Sequence, residues 1–293
     1  MIARNTTSSK MTSPDYSHHF SVHNVPFGIG SSKSHPRPQA VTRVRNSVLF
    51  LHDCHRSGLF ENIDGLPLNV FSNDTLNEFA ALAKSVQQQV RQAIQYRCND
   101  GVLDVSKLSQ ASVENITEVQ MHMPVRVGDF AGECPSAPSP FPTNLLTYQT
   151  LDYSCSLEHV KNAGRIIIND ERPPPAFFNL PIAYQGRASS VIVSGTDVER
   201  PLGQYVDKSA TTNPKPVLYG SSRAVDYELE FAAIVGKPLP MRQRLNAVDA
   251  DEHIFGFVVL NDWSGKCRLV CMLLDPMLTE PTQPQLATSR ASK

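Results

Sequence analysis

Val225-Asp226-Tyr227-Glu228-Leu229-Glu230-Phe231-Ala232-Ala233-Ile234-Val235 reads as a strand with two carboxylates at its centre. Side chains at i and i+2 of a strand share a face, so Glu228 and Glu230 project together from a segment otherwise fit for burial. A second strand, His253-Ile254-Phe255-Gly256-Phe257-Val258-Val259-Leu260, runs into Asn261-Asp262-Trp263-Ser264 and delivers a third carboxylate. Like charges held this close repel, and burial sharpens the repulsion. A hard divalent cation with oxygen ligands relieves it. The plainer alternative is that both glutamates line the wet face of an amphipathic edge strand.

Working outward, Asp152 to Ser264 alternates strand-like runs with Gly/Pro turns, the pattern of an all-β or mixed roll. Asp152 and His159 lie seven residues apart near its start. A histidine suits general-base work because its ordinary pKa lies close to neutrality. Ala183-Tyr184-Gln185-Gly186-Arg187-Ala188-Ser189-Ser190 crowds a phenol, a guanidinium and two hydroxyls into one turn. Tyr184 and Arg187 could hold an anionic substrate there. A polar turn with a structural arginine is the competing account.

Upstream, Val22 to Asp53 reads as short strands and turns, with Ser47-Val48-Leu49-Phe50-Leu51 the clearest strand. Asn73-Asp74 offers a cap, and Leu76, Phe79, Leu82, Val86, Val90 and Ile94 recur at helical spacing, so one helix is expected from Thr75 to about Tyr96. Met1 to about Ser17 is Ser/Thr-rich and expected to be disordered. Ala131 to Leu151 places Pro135, Pro138, Pro140 and Pro142 within eight residues, which forbids helix and predicts an exposed loop.

Across its 293 residues the chain is 41% apolar and 19% charged, the balance of a globular protein. A net charge of −1 gives no argument for a nucleic-acid or membrane partner. Six cysteines form no Cys-x-x-Cys pair and no zinc spacing, and read as reduced thiols. With no signal-like start and no apolar run long enough to span a bilayer, the cytosol is the expected location.

Five ordered motifs give a more specific reading. Tyr184 to Ser190, Val193-Ser194-Gly195-Thr196, Tyr227 to Glu230, Glu252 to Gly256 and Asn261 to Ser264 together resemble the fumarylacetoacetase family. His23-Asn24-Val25-Pro26-Phe27-Gly28 and Pro36-Arg37-Pro38 look like the start of that family's N-terminal domain, which shorter relatives such as acylpyruvate hydrolases lack. The resemblance implies a mainly β fold with some α, an SH3-like N-terminal β-barrel domain at 18–120 and a mixed β-roll at 121–264. It implies a homodimer that hydrolyses 4-fumarylacetoacetate to fumarate and acetoacetate in tyrosine and phenylalanine breakdown. It implies Mg²⁺ or Ca²⁺ held by Asp152, Glu228, Glu230 and Asp262, a water-activating His159 and a substrate-binding Tyr184.

Two departures bear on this chain. The Pro-rich Ala131 to Leu151 separates Gly128-Asp129 from Asp152, where the family joins them closely. After Ser264 an unrelated tail is expected over 265–293, so the roll reads as incomplete. The family's arginine, glutamine, metal-site lysine and histidine-orienting glutamate then have no counterpart, which predicts little activity and a catalytically dead product or pseudoenzyme as the alternative to a working enzyme. Gly132-Glu133-Cys134 and Gly265-Lys266-Cys267 can each be encoded with a splice-donor consensus, so retained introns are the expected origin of both breaks.

Overall fold

The computed structural model describes residues 16–99, 102–104, 108, 112–127, 151–180, 183–185, 188–207, 209–264 and 290–291. The expectations for the N-terminal tail, for 131–150, for Arg187 and for 265–289 fall outside these residues. The fold is mainly β with a few helices, in two compact units, 1–124 and 125–293.

The N-terminal unit is built on a five-stranded antiparallel sheet. Its strands are β1 (Phe27–Ser31), β2 (Gln39–Val44), β3 (Ser47–Phe50), β6 (Val113–Asn115) and β7 (Gln120–His122), in spatial order β6-β3-β2-β1-β7. A two-stranded ribbon, β4 (Cys98–Asn99) with β5 (Val102–Leu103), lies between β3 and β6 in sequence. β7 is an edge strand of this sheet, and the unit runs to Pro124. Leu51 does not prolong β3: it opens a short helix, α1 (Leu51–Arg56), with Asp53 in its first turn and Arg56 in its last, signs that suit the helix dipole.

The expected helix from Thr75 to Tyr96 is two helices, α2 (Asn77–Ala80) and α3 (Lys84–Tyr96). Ala83 is extended at φ −56°, ψ 143°, and the buried Gln87 of α3 reaches back to close the gap. Its Nε2 donates to the carbonyls of Ala80 and Leu82, both at 3.0 Å, satisfying acceptors that the end of α2 leaves open. The apolar spacing survives the break, since Leu76, Phe79, Val86, Val90 and Ile94 are all buried. Asn73 caps no helix; its side chain donates to Glu78 at 2.8 Å, while the Leu76 N–H bonds Pro124 O at 2.8 Å. Phe27, Phe79, Phe71 and Phe60 form a run of tilted and edge-on ring contacts at 5.0 to 5.4 Å through this core.

The C-terminal unit is organised differently. Its pairs are β8 (Leu151–Tyr153) with β9 (Ala183–Gln185), β11 (Leu202–Val206) with β12 (Val217–Ser221), and β13 (Asp226–Val235) with β14 (Ile254–Ser264), all antiparallel. A short β10 (Ile192–Val193) runs parallel to β15 (Arg290–Ala291). The sequence pattern predicted strands and turns throughout, but Leu157–Ile168 is a helix, α4, capped by Ser156. At its far end Asn169 is left-handed, at φ 55°, and Asp170 N bonds Gly164 O at 3.2 Å. That return needs a glycine: a Cβ on residue 164 would sit 2.3 Å from Asp170 O.

The units differ most in burial. Among residues whose burial is described, the large buried apolar side chains lie in the N-terminal unit, and in 125–264 only Ala188, Gly203, Ser222 and Gly236 are buried. Tyr227, Leu229, Phe231 and Val235 of β13 are exposed, as are Phe257 and Val259 of β14, and the Phe231 and Phe257 rings stack at 4.7 Å. No described helix is long and apolar enough to cross a membrane.

Candidate active site

The β13–β14 ladder sets the site. Asp226 pairs with Ser264, Glu228 with Asp262 and Glu230 with Leu260, so Glu228, Glu230, Asp262 and Ser264 project from one face. Tyr227, Leu229, Phe231 and Val235 alternate onto the other, exposed face, while Ala232 and Ile234 continue the face of the two glutamates. Asp152 arrives separately, on β8, opposite Tyr184 in the β8–β9 pair.

Asp152, Glu230 and Asp262 each bring a carboxylate oxygen into a group whose members lie within 4.8 Å of one another. All three are partly buried. Burial and then the charges of Asp152, Asp262 and Glu228 push the Glu230 carboxyl up from its ordinary 4.5 to about 7. Three hard oxygen donors with one proton-retaining member form a donor set that suits a hard divalent cation, which would take the place of that proton.

Glu228 shares the face but points elsewhere. Its Oε1 accepts from Ser264 Oγ at 3.1 Å, and its Oε2 lies 3.9 Å from His159 Nε2. His159 stands in the first turn of α4, where its backbone N–H donates to Ser156 Oγ at 3.2 Å. His159 therefore has one of the site's own acids, Glu228, as its near neighbour. Sequence reading missed Ser264, although its place two residues beyond Asp262 puts both on one strand face. For Tyr184 the structure gives the strand position alone.

Comparison with known proteins follows the same division of the chain. Residues 23–124 match the fumarylacetoacetase N-terminal domain, and residues 150–280 match the fumarylacetoacetate (FAA) hydrolase C-terminal domain. The chain belongs to the fumarylacetoacetate hydrolase family. The stretch 125–149 between the matches contains most of the Pro-rich segment. The residues after Ser264, expected to be unrelated, fall inside the family match as far as 280.

Among its relatives, the fumarylacetoacetase of Aspergillus fumigatus is 35% identical over 256 residues, covering 84% of this chain and 54% of that protein. That of Arabidopsis thaliana is 31% identical, with 85% and 54% covered, and that of Homo sapiens 29%, with 84% and 54%. The chain therefore spans about half the length of the curated relatives it matches. A solved fumarylacetoacetate hydrolase from psychrophilic Exiguobacterium antarcticum superposes with a TM-score of 0.40 at 13% identity, over 86% of this chain and 60% of that one.

Proposed function

We propose that this chain carries the site of a fumarylacetoacetase, which hydrolyses a carbon–carbon bond of 4-fumarylacetoacetate to give fumarate and acetoacetate. The observation that supports it best is the convergence of Asp152, Glu230 and Asp262 from three strands within 4.8 Å. These residues would hold Mg²⁺ or Ca²⁺, with Glu228 beside them as the family's fourth acid. A cation held by these residues would supply a Lewis acid for the dicarbonyl oxygens of the substrate and would offset the charge that develops as the bond breaks.

The chain's own residues do the rest. His159 takes a proton from water at a ring nitrogen, and the hydroxide formed adds to the carbonyl carbon next to the scissile bond. The electron pair of that bond leaves on the acetoacetate fragment, which then takes up a proton. Tyr184 binds substrate in this reading, from the strand that pairs with Asp152. A homodimer in the cytoplasm completes the proposal.

The test is loss of 4-fumarylacetoacetate by the purified 293-residue chain, with Mg²⁺, with Ca²⁺ and with chelator. Turnover that needs the cation and disappears in H159A and D262N would support the hydrolase reading. Binding of the cation without turnover would reject the hydrolase reading, and absence of binding would reject the metal site.

A further inference from the structure

Ser264 ends β14, on the same face of the ribbon as Glu228, Glu230 and Asp262. Its register partner is Asp226, but that side chain turns back to its own strand, where Oδ1 accepts from Tyr227 N at 2.9 Å. The Ser264 hydroxyl donates diagonally instead, to Glu228 Oε1 at 3.1 Å. The second carboxylate oxygen, Oε2, lies toward α4, 3.9 Å from His159 Nε2. The Glu228 side chain is 20% exposed, so the hydroxyl–carboxylate bond is partly shielded from water. One serine is thus aimed at one oxygen of the acid that stands beside the compact group of Asp152, Glu230 and Asp262.

We propose that Ser264 tunes the cation preference of this site toward Mg²⁺, by engaging one oxygen of Glu228 and leaving that carboxylate a single oxygen to offer. The proposal rests on the metal-site reading above. Ca²⁺ takes about six to eight oxygens in a flexible arrangement and accepts both oxygens of one carboxylate, whereas Mg²⁺ demands a near-octahedral shell and keeps several waters. A hydroxyl bonded to a carboxylate is a charge-assisted contact that fixes the rotamer as well as occupying the oxygen. The serine therefore does two things: it orients Glu228, and it withholds Oε1. Removing the hydroxyl costs either cation the orientation. For Ca²⁺ alone the loss is offset, because the released oxygen becomes a further donor. The preference of the site then moves toward Ca²⁺. Ser264 is a positioning residue in this account, held by the same two-stranded ribbon that carries Glu228 and Asp262.

Calorimetric titration of the full chain with Mg²⁺ and, separately, with Ca²⁺, in the absence of substrate, tests this. S264A is expected to weaken Mg²⁺ binding about tenfold and Ca²⁺ binding by less than about threefold, so that the ratio of the two affinities moves toward Ca²⁺. S264T keeps a hydroxyl and is expected to keep the wild-type ratio. S264V has the shape of threonine without the hydroxyl and is expected to shift the ratio as S264A does. Should S264A lose its fold, the S264T and S264V pair, alike in shape, carries the same comparison. Added to E228Q, S264A is expected to move the ratio no further, since the serine acts through that carboxylate. Equal weakening of both cations in S264A and S264V, or no change in either, would overturn the proposal while leaving the metal site standing. A shift of full size in the E228Q background would overturn it too. If the wild-type chain binds neither cation, the metal-site reading itself fails and the proposal falls with it.

Discussion

Glu228 stands directly opposite Asp262 across the β13–β14 ladder, a like-charge pair where sheets ordinarily place opposite charges or apolar side chains. With Glu230 two residues along and Asp152 brought in from β8, the ribbon concentrates negative charge on a partly buried face. Such an arrangement costs stability unless a proton or a cation reduces the charge.

Glu230 is the residue that keeps the proton, its carboxyl being raised to about 7 by burial and its three acidic neighbours. Its folded pKa lies above the unfolded value of 4.5, so between the two the native state binds more protons than the unfolded state. Stability of the metal-free C-terminal unit is therefore expected to fall as pH rises through that window. Mg²⁺ should flatten the slope, with protons released on binding. E230Q should remove the pH dependence and most of the stabilisation by Mg²⁺. Urea titrations across the window, with and without Mg²⁺, check this; a slope unchanged in E230Q would count against it.

His35 anchors the N-terminal unit through both ring nitrogens. Nδ1 lies 2.7 Å from Glu114 and Nε2 2.8 Å from Asp53, and the ring stacks on Phe50 at 3.8 Å. H35L is expected to remove a partner from both carboxylates, leaving Glu114 the Ser32 hydroxyl at 2.9 Å, and to cost about 2–4 kcal/mol. Chemical denaturation of the wild type and variant measures it; a change within experimental scatter would refute the assignment.

The exposed apolar face of the β13–β14 ribbon should govern self-association. Phe231 and Phe257 are 73% and 56% exposed and lie on the side away from the carboxylates. F231T/F257T is expected to lower light scattering on concentration while Mg²⁺ binding persists. Loss of cation binding together with aggregation would show that the two faces are not independent.

A fragment of residues 16–124 should fold by itself. It holds the five-stranded sheet, the aromatic core and the edge strand β7, and the Leu76 to Pro124 bond fixes its end. Cooperative thermal unfolding by circular dichroism is expected, and a featureless coil spectrum would refute it.

The site strands were legible because charge alternation at period two is hard to produce otherwise: Glu228, Glu230 and Asp262 stand on one face, as the pattern requires. The helices were less so. The interval of Leu76, Phe79, Val86, Val90 and Ile94 fits one unbroken helix, and nothing local signals that Gln87 closes a gap at Ala83. Leu51 and Leu157 begin helices beside strand-like residues, where tertiary packing overrides pattern. The Ser264–Glu228–His159 contacts depend on where α4 meets β13, a relation between distant segments that spacing does not encode.

The uneven burial of the two units has a calorimetric consequence. Heat capacity rises on unfolding in proportion to the apolar surface released, so the N-terminal unit should supply most of that increment and a sharp endotherm. The described part of the C-terminal unit has little buried apolar surface to release, and its contribution should be broad and shallow. One melting temperature would then describe the first 124 residues and say little about the half of the chain that bears the carboxylates.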